Sequence, residues 1–248
     1  NPLISVSSYI GNNSIKSILK VNKNKKKNGN DKKLALIFLN GEIVDGVSSG
    51  DEVIGSHNIV KALREAKIDK NILGVVLRIN SPGGSALASD VIWSEVMEVS
   101  KLKPVYSSFG DYAASGGYYV AAGSKKIFAH TNTITGSIGV FGVLLNSKKF
   151  FNNKLGITFD NVKTHKLSDI GESNKTMTSI EREIIQKNVV KVYADFIKVV
   201  SLGRKLNLDS VDRIAQGRIW SGTSAKEIGL VDNIGGLKDT IDALANDL

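Results

Sequence analysis

From residue 34 onward the chain alternates between two hydrophobic periods. Leu34-Ala-Leu-Ile-Phe-Leu39 and Leu73-Gly-Val-Val-Leu-Arg-Ile79 are apolar runs of strand length, the pattern of strands buried on both faces. Between them, Ile54 to Lys67 carries Ile59, Leu63 and Ala66 on one helical stripe, which predicts a βαβ unit. A second unit follows, with a helix over Ser85 to Leu102, a strand over Pro104 to Phe109, a small-residue helix from about Ala114 and a strand over Lys125 to Ala129. The expectation is an α/β fold with a largely parallel sheet and right-handed crossovers. Thr178 to Val200 places Ile180, Ile184, Ile185, Val189, Val192 and Phe196 at helical spacing and predicts the longest helix, which packs on the core or forms an interface. Leu208 to Ala215, Ser224 to Ile228 and Leu237 to Leu244 read as short closing helices, with Thr223 placed to cap the second. No internal repeat is seen.

Charge changes this picture only at the amino terminus. Eight lysines against Asp31 alone put +7 of the formal +9 into residues 1–33, which leaves the remainder of the chain nearly neutral. The run Val21-Asn-Lys-Asn-Lys-Lys-Lys-Asn-Gly-Asn30 has no aromatic side chain on which a base would stack, so it reads as a basic linker or arm and not as a nucleic-acid site. The expected division is a linker over 1–33 and one folded domain over 34–248. Of its 248 residues, 42% are apolar and none is cysteine, which excludes disulfides, thiolate nucleophiles and cysteine-held metal. Apolar runs are far shorter than the roughly 20 residues of a membrane-spanning helix. Asn1-Pro2 opens the chain without a charged-then-apolar leader, so it reads as a piece of something longer.

Two glycine-rich loops stand at strand-to-helix junctions, where backbone N–H groups lack partners. Asn80-Ser-Pro-Gly-Gly-Ser85 lacks the lysine of a phosphate-binding loop and reads either as a tight turn capped by Ser85 or as an anion site at Gly83 and Gly84. Gly110-Asp-Tyr-Ala-Ala-Ser-Gly-Gly117 sets one serine among small residues. A nucleophilic serine needs a sharp strand-to-helix turn, small neighbours and an adjacent N–H for the oxyanion, and Ser115 followed by Gly116 meets each requirement; a tightly packed helix start fits the same residues. The base is less visible. His57, His130 and His165 each sit where loop histidines commonly do, and a lysine can serve only if burial lowers its pKa from about 10.4 toward neutrality.

Four segments in order carry a family resemblance: Asn-Ser-Pro-Gly-Gly-Ser at 80–85, Asp-Tyr-Ala-Ala-Ser-Gly-Gly-Tyr at 111–118, Thr-Gly-Ser-Ile-Gly-Val-Phe-Gly at 135–142 and Ala-Gln-Gly-Arg-Ile-Trp-Ser-Gly at 215–222. Over roughly residues 34–240 the chain resembles the signal peptide peptidase A (protease IV) family, and most closely the carboxy-terminal half of its long, tandem-domain form. The resemblance implies a Clp protease/crotonase-like fold of stacked βαβ units. It also implies a Ser/Lys serine peptidase that needs no metal or cofactor and degrades cleaved signal peptides at the extracytoplasmic, periplasmic face of a bacterial inner membrane. By the same resemblance Ser115 is the nucleophile, Gly116 and the Gly83-Gly84 loop supply oxyanion N–H groups, and Ser137 holds the lysine amine. Where the short form has its lysine, this sequence has Ser168. Lys166, two residues away on the same face of an extended segment, is the candidate within the chain. The tandem form instead draws its lysine from the preceding half of the same protein, which then becomes a partner beside peptide substrates and further copies in a homo-oligomer. Val140, Phe141 and Val143 are expected to line an apolar cleft. Rival readings are a crotonase-type acyl-CoA enzyme, a non-catalytic oligomerising module of the same fold, and a Ser-His-Asp peptidase using His130.

Overall fold

The computed structural model describes residues 32–48, 50 and 52–248; the expected basic linker lies outside the described residues except for its last two positions. In chain order the elements are β1 (Lys33–Asn40), β2 (Glu42–Val44), β3 (Val53–Gly55), α1 (Ser56–Ile68), β4 (Ile72–Ser81), α2 (Ala86–Ser100), β5 (Val105–Ala114), α3 (Gly116–Ala121), β6 (Lys126–Ala129) and β7 (Ile134–Gly136). There follow α4 (Lys148–Phe150), which runs into a π-helical turn over Phe151–Leu155, then α5 (Ser179–Arg204), α6 (Leu208–Ile214), β8 (Ile219–Ser221), α7 (Gly222–Glu227), β9 (Asn233–Ile234) and α8 (Leu237–Asn246).

The described residues divide into two compact units, those up to 139 with 196–248, and 140–195. In the first, the sheet order is β1-β4-β5-β6-β9, with every neighbouring pair parallel. Beyond the β6 pairing, β5 also pairs with β7 in parallel, and β7 pairs with β8 antiparallel. This is the α/β, Clp/crotonase-like architecture of stacked βαβ units and a mostly parallel sheet. Its strands read as unbroken apolar runs because both faces are covered. On one face Val76, Tyr106 and Phe128 pack with Leu237, Ile241 and Leu244 of α8. On the other, the α1 side chains Ile59, Leu63 and Ala66 are buried, as are Ile92 and Val96 of α2. Full burial of each such aliphatic side chain contributes about 2 kcal/mol.

The main differences from the sequence reading lie in the short strands. β2, β3, β7 and β8 are only three residues long and carry no local period. β5 runs five residues beyond Phe109 because Tyr112, Ala113 and Ala114 find partners in β7, a pairing no local pattern reveals. The cap of α7 is Ser221, whose hydroxyl accepts from Ser224 N at 3.2 Å; Thr223 falls inside the helix.

One ion-pair cluster ties α1 to α2. Glu95, 7% exposed, accepts from Arg64 at 2.7 Å and from Lys67 at 2.8 Å. Burial favours its protonated form, but the hydrogen bonds from Lys67 and Arg64 outweigh that and hold the carboxyl below its ordinary range. A carboxyl with a lowered folded-state pKa adds stability above its unfolded pKa of about 4.3 and loses it as pH falls through the folded value. Glu95→Gln should therefore lower stability by about 1 kcal/mol at neutral pH, since Arg64 is well solvated. In urea titrations at several pH values the gap to wild type should close below about pH 4.

The second unit holds a charge cluster of its own. Ion pairs with Lys163 and Lys175 hold the Asp169 carboxyl down to about 2. Hydrogen bonds from Lys175 and Thr178 do the same for Glu181, also about 2. Thr178 and Glu181 form a reciprocal box at the start of α5, with Thr178 N donating to Glu181 at 2.7 Å. Among the described residues no helix is long and apolar enough to cross a membrane.

Candidate active site

At the end of β5 the backbone turns sharply into α3, and Ser115 is the turning residue, with φ 51° and ψ −120°. A side chain with a Cβ adopts such a conformation at a cost of about 1–3 kcal/mol, so the surroundings must enforce it. They do so from both sides. Ser115 N donates to Gly136 O at 2.9 Å, continuing the β5–β7 ladder, while Ser115 O accepts from Tyr119 N at 2.9 Å and opens α3. Ala113, Ala114, Gly116 and Gly117 around it are buried and small, and Ser115 itself is half-buried. The turn thus presents one hydroxyl with little side-chain bulk beside it.

Against this turn lies the Gly83-Gly84 loop, where φ is 103° at Gly83 and 148° at Gly84, a region in which glycine carries no steric penalty. Ile43 anchors the loop in a parallel bridge, its N–H donating to Gly83 O and its carbonyl accepting from Ser85 N, both at 2.8 Å. In such a bridge the N–H of the intervening residue, Gly84, points away from the partner strand. A Cβ on Gly83 would lie 2.6 Å from Gly116 N and 2.8 Å from Ser115 Cβ, and one on Gly116 would lie 3.4 Å from Gly84 N and run into Ser89 Oγ. Backbone therefore meets backbone at the serine. Gly116 is the first residue of α3, so its N–H has no helical partner. Of the expected oxyanion donors, Gly83 differs: its N–H is engaged by Ser81 Oγ at 3.1 Å, because the turn folds back on the preceding serine. That leaves the N–H groups of Gly84 and Gly116 beside Ser115.

The β5–β7 register pairs Ala114 with Gly136, which sets Ser115 and Ser137 at neighbouring positions one residue past the ladder. Ser137 also has a positive φ, 47°, and its N–H donates to Arg218 O at 2.8 Å. Trp220 closes this corner. Its indole donates to Ile214 O at 2.9 Å, and a Cβ on Gly136 would sit 2.7 Å from the ring. The segments 80–85, 111–118, 135–139 and 215–222, separate in sequence, are thus brought together around Ser115.

The candidate bases are placed differently. Lys166 is exposed in a turn of the second unit, followed by Ser168, whose hydroxyl donates to His165 O at 2.9 Å. Lys163 and Lys175 are tied to Asp169 as cations. Burial pulls Lys103 below its ordinary range, but it stands at the opposite end of β5 from Ser115 and donates to Ala66 O and Asp69 O at 2.6 Å. His130 is exposed after β6, with its ring against Gly236 at the start of α8. Phe141 is 84% exposed and Val143 74%. Asn80, which the sequence reading left without a role, joins its side chain to β5; its place beside the Gly-Gly turn was the only local signal.

Comparison with known proteins identifies the family. Residues 97–248 match the family model described as peptidase family S49. The chain is 38% identical over 210 residues to a protein named Protease 4 from Haemophilus influenzae, covering 84% of this chain and 34% of that protein. It is 39% identical over 218 residues to one named Putative signal peptide peptidase SppA from Enterococcus faecium, covering 86% and 63%. It is 34% identical over 217 residues to Serine protease SPPA, chloroplastic, from Arabidopsis thaliana, covering 86% and 32%. The chain thus spans about a third of the length of the Haemophilus and Arabidopsis relatives. With a family match over more than half of its length and relatives 34–39% identical over most of it, the chain belongs to peptidase family S49.

Proposed function

We propose that this chain supplies the nucleophile and oxyanion hole of a serine peptidase that works with a lysine base, on apolar peptides such as cleaved signal peptides, at a membrane surface. The observation that carries the reading is the enforced backbone of Ser115, φ 51° and ψ −120°, directly beside Gly84 and Gly116. Strain of this kind persists where exposing a nucleophile outweighs its cost in stability. Ser115 Oγ attacks the peptide carbonyl carbon and passes its proton to a neutral lysine amine. The oxyanion so formed accepts from Gly84 N–H and Gly116 N–H. Collapse breaks the C–N bond, the lysine returns its proton to the leaving amine, and an ester on Ser115 remains. Water, deprotonated by the same amine, then releases the acid. Ser137, at the neighbouring position, holds the lysine amine by accepting a hydrogen bond. The substrate class is the one in the name of the Enterococcus relative, Putative signal peptide peptidase SppA.

The lysine comes from outside this chain in the same reading. A base must lose charge by burial, whereas Lys166 is exposed and Lys163 and Lys175 are ion-paired. Hydrolysis of a fluorogenic peptide bearing small apolar residues should be undetectable with this chain alone and appear on mixing with the polypeptide that precedes it in the full-length protein. Activity of the chain alone that disappears in Lys166→Ala would place the base within it and refute the shared site.

A further inference from the structure

We infer that Asn80 is a positioning residue for Ser115: its carboxamide holds a bulge in β5 that sets how the serine meets Gly84. The inference rests on the reading of Ser115 as nucleophile. β4 and β5 run in register from Val75 opposite Val105 to Ile79 opposite Phe109, and the next pair is Ser81 opposite Ala113. Asn80 alone therefore faces Gly110, Asp111 and Tyr112. Two residues more on β5 than on β4 mean that ladder hydrogen bonds cannot satisfy this stretch, so its backbone groups need other partners.

Those partners can be traced. Phe109 O accepts from the Arg78 guanidinium, and Gly110 O accepts from Thr133 Oγ1 at 2.8 Å. The two N–H groups, of Asp111 and Tyr112, both turn to Asn80 Oδ1, at 3.0 Å and 3.4 Å. Facing two donors, the carboxamide must present its oxygen to them, and its Nδ2 then donates to Asn40 Oδ1 at 3.2 Å on the neighbouring strand. The approach is close: a Cβ on Gly110 would lie 2.5 Å from Asn80 Oδ1. Asn80 O meanwhile accepts from Gly41 N at 2.9 Å, which fixes the main chain from which the side chain reaches.

The bulge lies where β5 changes partners. Tyr106 to Ser108 pair with β6, and Tyr112 to Ala114 pair with β7. Ser115 follows three residues after Tyr112, and its N–H is the next to bond to β7. Asn80 itself is the penultimate residue of β4, just ahead of the loop that carries Gly83 and Gly84. One side chain thus joins the strand that delivers the nucleophile to the loop that delivers an oxyanion donor. Its loss lets the two slide relative to one another while the apolar core beneath is untouched.

The test compares Asn80→Ala, Asn80→Asp and wild type in the full-length protein, reading peptide hydrolysis, the rate of covalent capture of Ser115 by a fluorophosphonate, and thermal unfolding. Misplacement of reacting groups by about 1 Å costs up to roughly 100-fold, so Asn80→Ala should lower kcat and the capture rate by roughly 10- to 100-fold with KM little changed. Asn80→Asp keeps an acceptor for both N–H groups and should recover most of the lost rate; it also decides the matter if the alanine variant does not fold. Capture of Asn80→Ala at the wild-type rate, or an aspartate variant no better than alanine, overturns the positioning role. Failure of wild type itself to be captured, with Ser115→Ala indistinguishable from it, overturns the nucleophile reading on which this inference stands.

Discussion

Ser115→Ala should lower kcat/KM for an apolar peptide by roughly 10⁴-fold or more in the full-length protein, leaving only what the oxyanion hole and binding provide. The size of the effect follows from the chemistry proposed for the site. Without the hydroxyl no acyl-enzyme forms, and among the described residues no other serine or threonine stands at a strained turn between a strand and a glycine-opened helix: Ser137, which also has a positive φ, has its N–H on Arg218 O and begins no helix. Stability should hardly change, because alanine meets the same backbone penalty as serine. Ser115→Gly sharpens the point. It is equally inactive but relieves the conformation, so it should be the more stable of the two inactive proteins by about 1 kcal/mol in urea titrations. A serine serving only packing would show neither the rate loss nor this ordering.

Gly84→Ala should reduce kcat by roughly 10²- to 10³-fold, the range found when one oxyanion donor is removed. Its φ of 148° strains any residue with a Cβ, and the added methyl would run into the carbonyl of Ile43. That clash pushes the loop off β2 and turns the Gly84 N–H away from its place beside Gly116. KM should change little, since the donor acts on charge that develops only in the transition state. Fluorophosphonate capture should slow in parallel, because its phosphoryl oxygen occupies the same hole. A variant with lowered melting temperature and normal kcat would show that the loop is structural only.

The contrast between what the sequence revealed and what it hid has physical causes. β1, β4 and the first half of β5 are buried on both faces and so read as apolar runs. The stripe on α1 and the long helix α5 were equally legible, with bounds within a few residues of those expected. The three-residue strands were not, since their existence depends on partners distant in sequence: Tyr112 on Ile134, Ile134 on Ser221. Ser115 stood out because of its small neighbours, a local feature. The difference between Gly83 and Gly84 did not, as it turns on the Ser81 hydroxyl folding back. The role of Asn80 has no local signature, because the N–H groups it holds lie 31 and 32 residues away. The lysine base of the proposed mechanism was the least legible in the sequence, because burial is a tertiary property that thirty-odd cationic side chains conceal. Membership of a peptidase family sets aside the acyl-CoA reading that the same fold had left open.

The assignment of Ser115 as nucleophile is tested by mapping the adduct formed when the full-length protein reacts with a fluorophosphonate. Proteolytic digestion and mass spectrometry should find the phosphonate on the peptide containing Ser115 and nowhere else, with loss of hydrolysis in proportion to its occupancy. An adduct on another residue that tracks the loss of activity, or full inhibition with Ser115 unmodified, would contradict the account.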